Sequence, residues 1–131
     1  MSQLNIGKLI KILTKIREER GDEYIYFDFC NLTPSGINFW RGNHQEIAVH
    51  FGNGNALLTD FISLLIKAKR EFKIKNTTKL WVANHNEVGS TAITGIEQTE
   101  DGWIIIKTKY KQHQNYNKSL VNVEKKSIEL N

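Results

Sequence analysis

The chain is poor in cysteine, proline and methionine, with one of each among 131 residues. The single cysteine, Cys30, excludes an internal disulfide and is typical of proteins from reducing compartments. No apolar run approaches the roughly 18 to 20 residues of a membrane-spanning helix. The first residues lack the basic start and long apolar core of a signal peptide. The sequence therefore predicts a cytoplasmic protein that does not associate with a membrane.

Signatures of catalysis and metal binding are also missing. The four histidines show no HxH or HExxH spacing, and the sequence has no CxxC pair, no GxSxG nucleophile turn and no P-loop. The acids Asp28, Glu46 and Glu87 leave a general acid-base pair open, although proteins of this size commonly offer such combinations. We predict no metal, no cofactor and no catalytic activity.

Charge and size narrow the classes of partner. A net charge of +4 and a pI near 9.2 favour an anionic partner, which leaves phosphorylated metabolites, nucleic acid and acidic proteins open. The basic face of the second predicted helix has no interleaved aromatic residue on which bases would stack, which disfavours nucleic acid. The length is that of one domain with helices covering a sheet.

The hydrophobic spacing predicts two helices and six strands. A first helix follows the N-cap Asn5 and stops at Gly21, and a second begins near Ala56. The predicted apolar stripes are Ile6, Leu9, Ile10, Leu13 and Ile16 in the first helix and Leu58, Phe61, Ile62, Leu65, Ala68 and Phe72 in the second. The predicted strands are Tyr24–Cys30, Ile37–Trp40, Glu46–Phe51, Leu80–Ala83, Thr91–Gln98 and Trp103–Tyr110.

These elements predict an α+β fold with a mainly antiparallel sheet covered by two helices. We expect turns at Pro34-Ser35-Gly36, at Gly52-Asn53-Gly54-Asn55 and at Asp101-Gly102. Residues 1–111 form the single domain in this interpretation. Residues 112–131 form a C-terminal extension that is either a hairpin or a short helix.

A candidate binding site follows from the polar and aromatic residues at strand ends. Trp40-Arg41-Gly42 combines an aromatic face, a guanidinium suited to phosphate, and a glycine that permits close backbone approach. Trp81 offers a second aromatic wall. The alternative is that both tryptophans belong to the core and that Arg41 pairs with Asp28. The candidate ligand-binding residues are Asp28, Asn31, Trp40, Arg41, Gly42, Trp81, Asn84 and Thr91.

Four segments resemble a family of small, uncharacterised bacteriophage proteins. They are Tyr26–Gly36 with a DFxxLxPxG pattern, Phe39–Gly42 with a Ser-Tyr/Trp-Arg-Gly pattern, Leu80–Asn84 with a WVAN pattern, and Thr91–Ile96 with a TAIxG pattern. The sequence departs from the family at Phe39, where Ser is common, and at Lys75–Lys79, where a Lys-Gly-Gly loop is usual.

By analogy with other small phage proteins, the resemblance implies a role against host defence. We expect a non-catalytic protein that sequesters an anionic nucleotide-type immune signal, a cyclic ADP-ribose isomer or a cyclic oligonucleotide, in the cytoplasm of the infected bacterium. A ligand of that size is enclosed more easily between subunits, which predicts a homodimer or higher homo-oligomer. The alternatives are a protein-protein inhibitor of a host defence enzyme and an enzyme that degrades the signal.

Overall fold

Two helices pack on one six-stranded sheet in the computed structural model, which describes residues 3–29, 32–40, 43–82 and 91–109. The predicted α+β class is confirmed. The elements are α1 (Ile6–Arg20), β1 (Ile25–Phe27), β2 (Thr33–Trp40), β3 (Asn43–Gly52), α2 (Leu58–Phe72), β4 (Lys79–Val82), β5 (Thr91–Gln98) and β6 (Ile104–Thr108). The predicted extension 112–131 lies outside the described residues.

Both helices begin and end where local chemistry favours it. The Asn5 side chain accepts a hydrogen bond from the Lys8 N–H at 2.8 Å, and the Gly21 N–H donates to the Arg17 carbonyl at 2.8 Å. The predicted N-cap and stop of the first helix are therefore confirmed. At the start of α2, the Leu57 N–H donates to the Asp60 carboxylate. Neither described helix combines the length and apolar character that crossing a membrane requires.

The sheet is mixed, with the order β1-β6-β5-β4-β3-β2. Three of its five strand pairings are antiparallel, while β1 pairs with β6 and β3 pairs with β4 in parallel. The β3–β4 pair is parallel because α2 carries the chain back across the sheet between them, as parallel neighbours require. The predicted hairpin of β5 and β6 around Asp101-Gly102 is confirmed.

The segment Pro34-Ser35-Gly36 lies within β2, so the turn predicted there is wrong. Proline has no N–H to donate and is tolerated in a sheet only at an edge strand or a bulge. Pro34 meets both conditions. It lies in β2, an edge strand of the sheet, and the register of β2 with β3 shifts between Pro34 and Gly36, as at a bulge. The Ser35 hydroxyl donates to the His50 carbonyl at 3.3 Å beside this shift.

The core lies between the helices and the helix-facing side of the sheet. It is built from aliphatic and phenylalanine side chains, all buried: Ile6, Leu9, Leu13, Ile16, Ile25, Phe27, Ile47, Val49, Leu58, Phe61, Ile62, Leu65, Leu80, Val82, Ile93, Ile104 and Ile106. Every residue on this list that belongs to a helix falls in the apolar stripe predicted for that helix. Helical periodicity therefore identified the buried faces correctly.

The sheet curls until its two edges meet. The Phe27 N–H donates to the Leu32 carbonyl at 3.2 Å, and the Thr33 hydroxyl donates to the Ile25 carbonyl at 2.9 Å. On the same side of β1, the Ile25 N–H donates to the Ala56 carbonyl at 3.0 Å. The three-residue strand β1 is thus held by β6 on one side and by the start of β2 and the approach to α2 on the other.

Gly7 lets the chain before β4 approach the start of α1. A Cβ atom at this position would lie 2.7 Å from the Cβ of Asn76 and 3.1 Å from its backbone oxygen. The Gly7 N–H donates to that oxygen at 2.9 Å. The contact therefore needs glycine for space.

Replacing Gly7 by Ala should lower the free energy of unfolding by about 1–2 kcal/mol, because overpacking exceeds the gain in helix propensity. The measurement is urea unfolding followed by circular dichroism. Gly36→Ala is the matched control, since a Cβ there meets nothing within 4 Å. Equal stability of the two variants would contradict the packing argument, and adding Asn76→Gly to Gly7→Ala should restore part of the loss.

Candidate ligand-binding site

Asp28 directly follows β1 and fastens it to β6. Its two carboxylate oxygens accept hydrogen bonds from the Thr108 N–H and the Thr108 hydroxyl, each at 2.8 Å. The Asp28 N–H donates to the Ile106 carbonyl at 3.0 Å. Thr108 is buried, so these bonds satisfy donors that water does not reach. Asp28, which the sequence predicts to bind a ligand, thus holds Thr108 of β6 through two hydrogen bonds.

Trp81 lies in the middle of the sheet and is half-buried. The register places it between Ala48 of β3 and Ala92 of β5, both buried. Two alanines leave lateral room for an indole on that face of the sheet. Thr91, the first residue of β5, is buried and pairs with Val82.

Sheet register separates some of the predicted site residues and brings others together. Trp40 pairs with Asn43, at the end of the sheet where β4 begins. Thr91 pairs with Val82, at the opposite end, where β4 stops. Asp28 lies toward that same end, because it is bonded to Thr108, and Thr108 pairs with Ile93 of β5. The Trp40 side chain and the predicted residues Asn31, Arg41, Gly42 and Asn84 lie outside the described part of the chain.

An exposed group of aromatic residues, which we call the aromatic surface, lies where β1 pairs with β6. It consists of Tyr24, Tyr26 and Trp103. The rings of Tyr26 and Trp103 have centroids 5.1 Å apart and planes inclined by 44°. Continuing the parallel register of Ile25 with Ile104 by one residue places Tyr24 beside Trp103. Trp103 is 43% exposed and Tyr24 is 47% exposed, so both rings present area to solvent.

A cleft of about 460 Å³ adjoins this surface. We call it the Asn55 cleft, because the Tyr26 hydroxyl donates to Asn55 Oδ1 at 3.0 Å and so joins the aromatic surface to it. Six of the residues that line it carry a hydroxyl, amide or ammonium group: Thr33, Ser35, Asn53, Asn55, Ser63 and Lys67. Concave sites for small molecules commonly have volumes of roughly 300–1,000 Å³.

The wall formed by residues 53–56 is held by buried hydrogen bonds. The Ala56 N–H donates to the Thr33 hydroxyl at 3.1 Å, and that hydroxyl donates to the Ile25 carbonyl. Gly54 has a φ of +130°, a backbone conformation that residues with a Cβ atom rarely adopt. The glycine-asparagine segment interpreted as a turn from sequence is therefore an ordered wall of the cleft.

Sequence reasoning missed Trp103 and the Tyr26–Asn55 bond. The only sequence signals were the alternation that puts Tyr24 and Tyr26 opposite the core face and the position of Trp103 directly after the Asp101-Gly102 turn. Neither signal shows that β1 and β6 pair, which is what joins the rings.

The aromatic surface and the Asn55 cleft offer aromatic rings, hydrogen-bonding groups and charged side chains to a ligand. Among the side chains that the structure describes, no three His, Cys, Asp or Glu residues gather at metal-binding distance. At the nearby start of α2, the Leu58 N–H donates to the Glu23 carbonyl and the Thr59 N–H donates to the Asp22 carboxylate, so neither is available to a ligand. Comparison with known proteins finds no matching family, no similar curated protein and no similar solved structure.

Proposed function

We propose that this protein binds a nucleotide-type small molecule without converting it, at the aromatic surface and the Asn55 cleft. The observation that carries the proposal is the Tyr26 side chain, whose ring contacts the exposed Trp103 and whose hydroxyl is bonded to Asn55 of the cleft. An aromatic ring on which a base can stack thus adjoins polar groups that can bind the sugar and phosphate of the same nucleotide.

The magnitudes are compatible with tight binding. Stacking on an aromatic side chain contributes about 1–3 kcal/mol per base. Nanomolar affinity requires about 12 kcal/mol, so one stacked base must be supplemented by hydrogen bonds and by charge. The amides of Asn53 and Asn55 and the hydroxyls of Ser35 and Ser63 supply candidate hydrogen bonds for the ligand's polar groups.

Lys67 is the phosphate-binding candidate of the cleft. Its ammonium lies 4.0 Å from the Glu71 carboxylate in an ion pair whose side chains are 62% and 52% exposed. Such exposed pairs contribute little stability, so the ammonium can turn to a phosphate at small cost. The carboxylate that lines the cleft, Asp60, already accepts the Leu57 N–H.

The resemblance to small phage proteins supplies the biological setting of the proposal. In that setting the ligand is a nucleotide immune signal of the infected bacterium, and the protein competes with the host receptor for it. A homodimer or larger assembly would enclose such a ligand better than one open cleft. Trp40 and Arg41 stay predictions from the sequence alone, since Trp40 is the last residue of β2 and the cleft residues Thr33 and Ser35 lie at the start of that strand.

A second candidate function rests on the same aromatic surface. Tyr and Trp are enriched where proteins bind other proteins, and three such residues form this surface. Inhibition of a host defence enzyme by direct contact therefore stays the alternative. It predicts a protein partner on affinity purification and no effect of any small molecule.

The test is a thermal-shift screen against cyclic dinucleotides, cyclic trinucleotides and cyclic ADP-ribose isomers. Ligand at about a hundred times its dissociation constant should add about 2.7 kcal/mol to stability. Chromatography of ligand released by heating then separates binding from catalysis, since a binder returns it intact. A screen without any shift contradicts the nucleotide proposal and favours the protein partner.

Replacing Trp103 by Ala should weaken binding of the ligand found in that screen about tenfold or more, because a stacking face is lost. The measurement is isothermal titration calorimetry. Ile66→Ala, which removes a side chain of similar exposure (47%) from α2, is the control and should leave the affinity unchanged. Equal affinities of Trp103→Ala and the unaltered protein would remove the aromatic surface from the site.

A further inference from the structure

A second pocket lies between the helices, on a part of the molecule that the Asn55 cleft does not reach. The helices run antiparallel: Arg17 near the end of α1 donates to Thr59 near the start of α2, and the start of α1 lies beside Asn76, after α2. The pocket at this second end has a volume of about 320 Å³. We call it the lysine pocket, after Lys8, Lys11 and Lys69 in its wall.

The described residues that line the lysine pocket include three lysines and no Asp or Glu. The first acid of α1 is Glu18, about two turns beyond Lys11. In α2 the acid nearest in sequence to Lys69 is Glu71, which is in an ion pair with Lys67. Within the described ranges, neither Lys8 nor Lys11 has an ion-pair partner. Three lysine side chains thus line one small pocket.

Lys69 is the most informative of the three. It is half-buried, and its ammonium donates to Asn76 Oδ1 at 2.5 Å. That acceptor is a neutral amide, so the bond positions the charge without neutralising it. An ammonium has three N–H donors, and the remaining donors are available to a ligand.

Backbone hydrogen bonds fix the rest of the wall. The Ile6 and Gly7 N–H groups donate to the Thr78 and Asn76 carbonyls at 2.8 and 2.9 Å, and the Lys8 N–H donates to Asn5 Oδ1. The donors at the start of α1 are therefore occupied. Recognition in this pocket falls to the lysine side chains and to the side chains of Asn76 and Thr77, which stand on a rigid frame.

We infer that the lysine pocket binds a compact ligand with several phosphate charges, of the diphosphate or triphosphate class. Three lysine side chains in the wall of one small pocket match a ligand with a charge of about three or more, which a single carboxylate does not supply. The Thr77 hydroxyl and the Asn76 amide provide neutral donors for further phosphate oxygens. This inference does not rest on the proposed function, because it uses other residues on another part of the surface.

The probe is inorganic tripolyphosphate, titrated into the full chain by calorimetry at about 0.15 M ionic strength, where distant charges are screened. Lys69→Ala should weaken binding about tenfold or more, and Lys8→Gln with Lys11→Gln should do the same. Lys15→Ala, which makes an equal charge change one turn farther along α1, should change the affinity less than about twofold. Trp103→Ala should leave tripolyphosphate binding unaffected.

Two results would overturn the inference. Equal losses in the Lys69 and Lys15 variants would show that only net charge matters, and absence of binding by the unaltered protein would show that the pocket is not a site. A single-stranded oligonucleotide serves as the competing probe. If it binds tighter than tripolyphosphate and depends equally on Lys15, the surface is an extended nucleic-acid contact and the compact-phosphate inference is wrong. Circular dichroism checks that each variant is folded.

Discussion

Replacing Phe27 by Ala should lower the free energy of unfolding by about 3–5 kcal/mol, the range for deleting a buried phenylalanine ring. Phe27 is 2% exposed, and its ring stacks on that of Phe29 with centroids 5.6 Å apart. Domains of this kind have about 5–15 kcal/mol of stability in total, so this single change removes a large share. Urea unfolding followed by fluorescence measures the loss.

The position of Phe27 adds a local effect to the global one. Strand β1 has only three residues, and Phe27 anchors it in the core beside Tyr26. Loosening β1 should therefore disturb the aromatic surface. Leu13→Ala is the control, because it deletes a fully buried side chain of α1 with an expected loss of about 2–5 kcal/mol.

Hydrogen exchange distinguishes the two variants. Phe27→Ala should speed exchange of the Asp28 and Ile104 N–H groups, which donate across the β1–β6 pairing. Leu13→Ala should speed exchange in α1 instead. Similar exchange patterns in both variants would contradict the view that β1 is anchored separately by Phe27.

Local patterns were enough to predict the helices and the hairpin of the fold. Helical periodicity found the buried stripes of α1 and α2, and the strand bounds predicted for Thr91–Gln98 agree with those of β5. These elements are determined by residues close in sequence, so the information lies within each segment. The parallel pairs β1–β6 and β3–β4 depend on contacts between distant segments, and the alternation within one strand does not specify its neighbour.

The same distinction applies to the candidate site. The sequence prediction gathered residues next to conspicuous motifs, but the register puts Trp40 and Thr91 toward opposite ends of β4. Tyr26 and Trp103 belong to different predicted elements and meet only because β1 pairs with β6. The alternation of Tyr24 and Tyr26 with the core residues Ile25 and Phe27 was the nearest signal of the aromatic surface in the sequence.

Asp28 is the residue whose predicted role differs most from its contacts in the structure. The sequence assigns it to ligand recognition, whereas the structure shows its carboxylate accepting both donors of the buried Thr108. Replacing it by Ala should cost about 3 kcal/mol of stability, because a buried backbone N–H loses its acceptor and a charge-assisted bond is lost. For a chain of this size the melting temperature should fall by about 10 °C.

Thr108→Val separates the two hydrogen bonds. This variant keeps the N–H donor and removes only the hydroxyl, so it should cost about 1 kcal/mol, less than Asp28→Ala. Differential scanning calorimetry of the unligated proteins measures both losses. If Asp28→Ala leaves the melting temperature unchanged and removes ligand binding, Asp28 acts in recognition as the sequence predicts. If stability falls while affinity at a temperature where the variant is folded stays the same, its role is to hold β1 on β6.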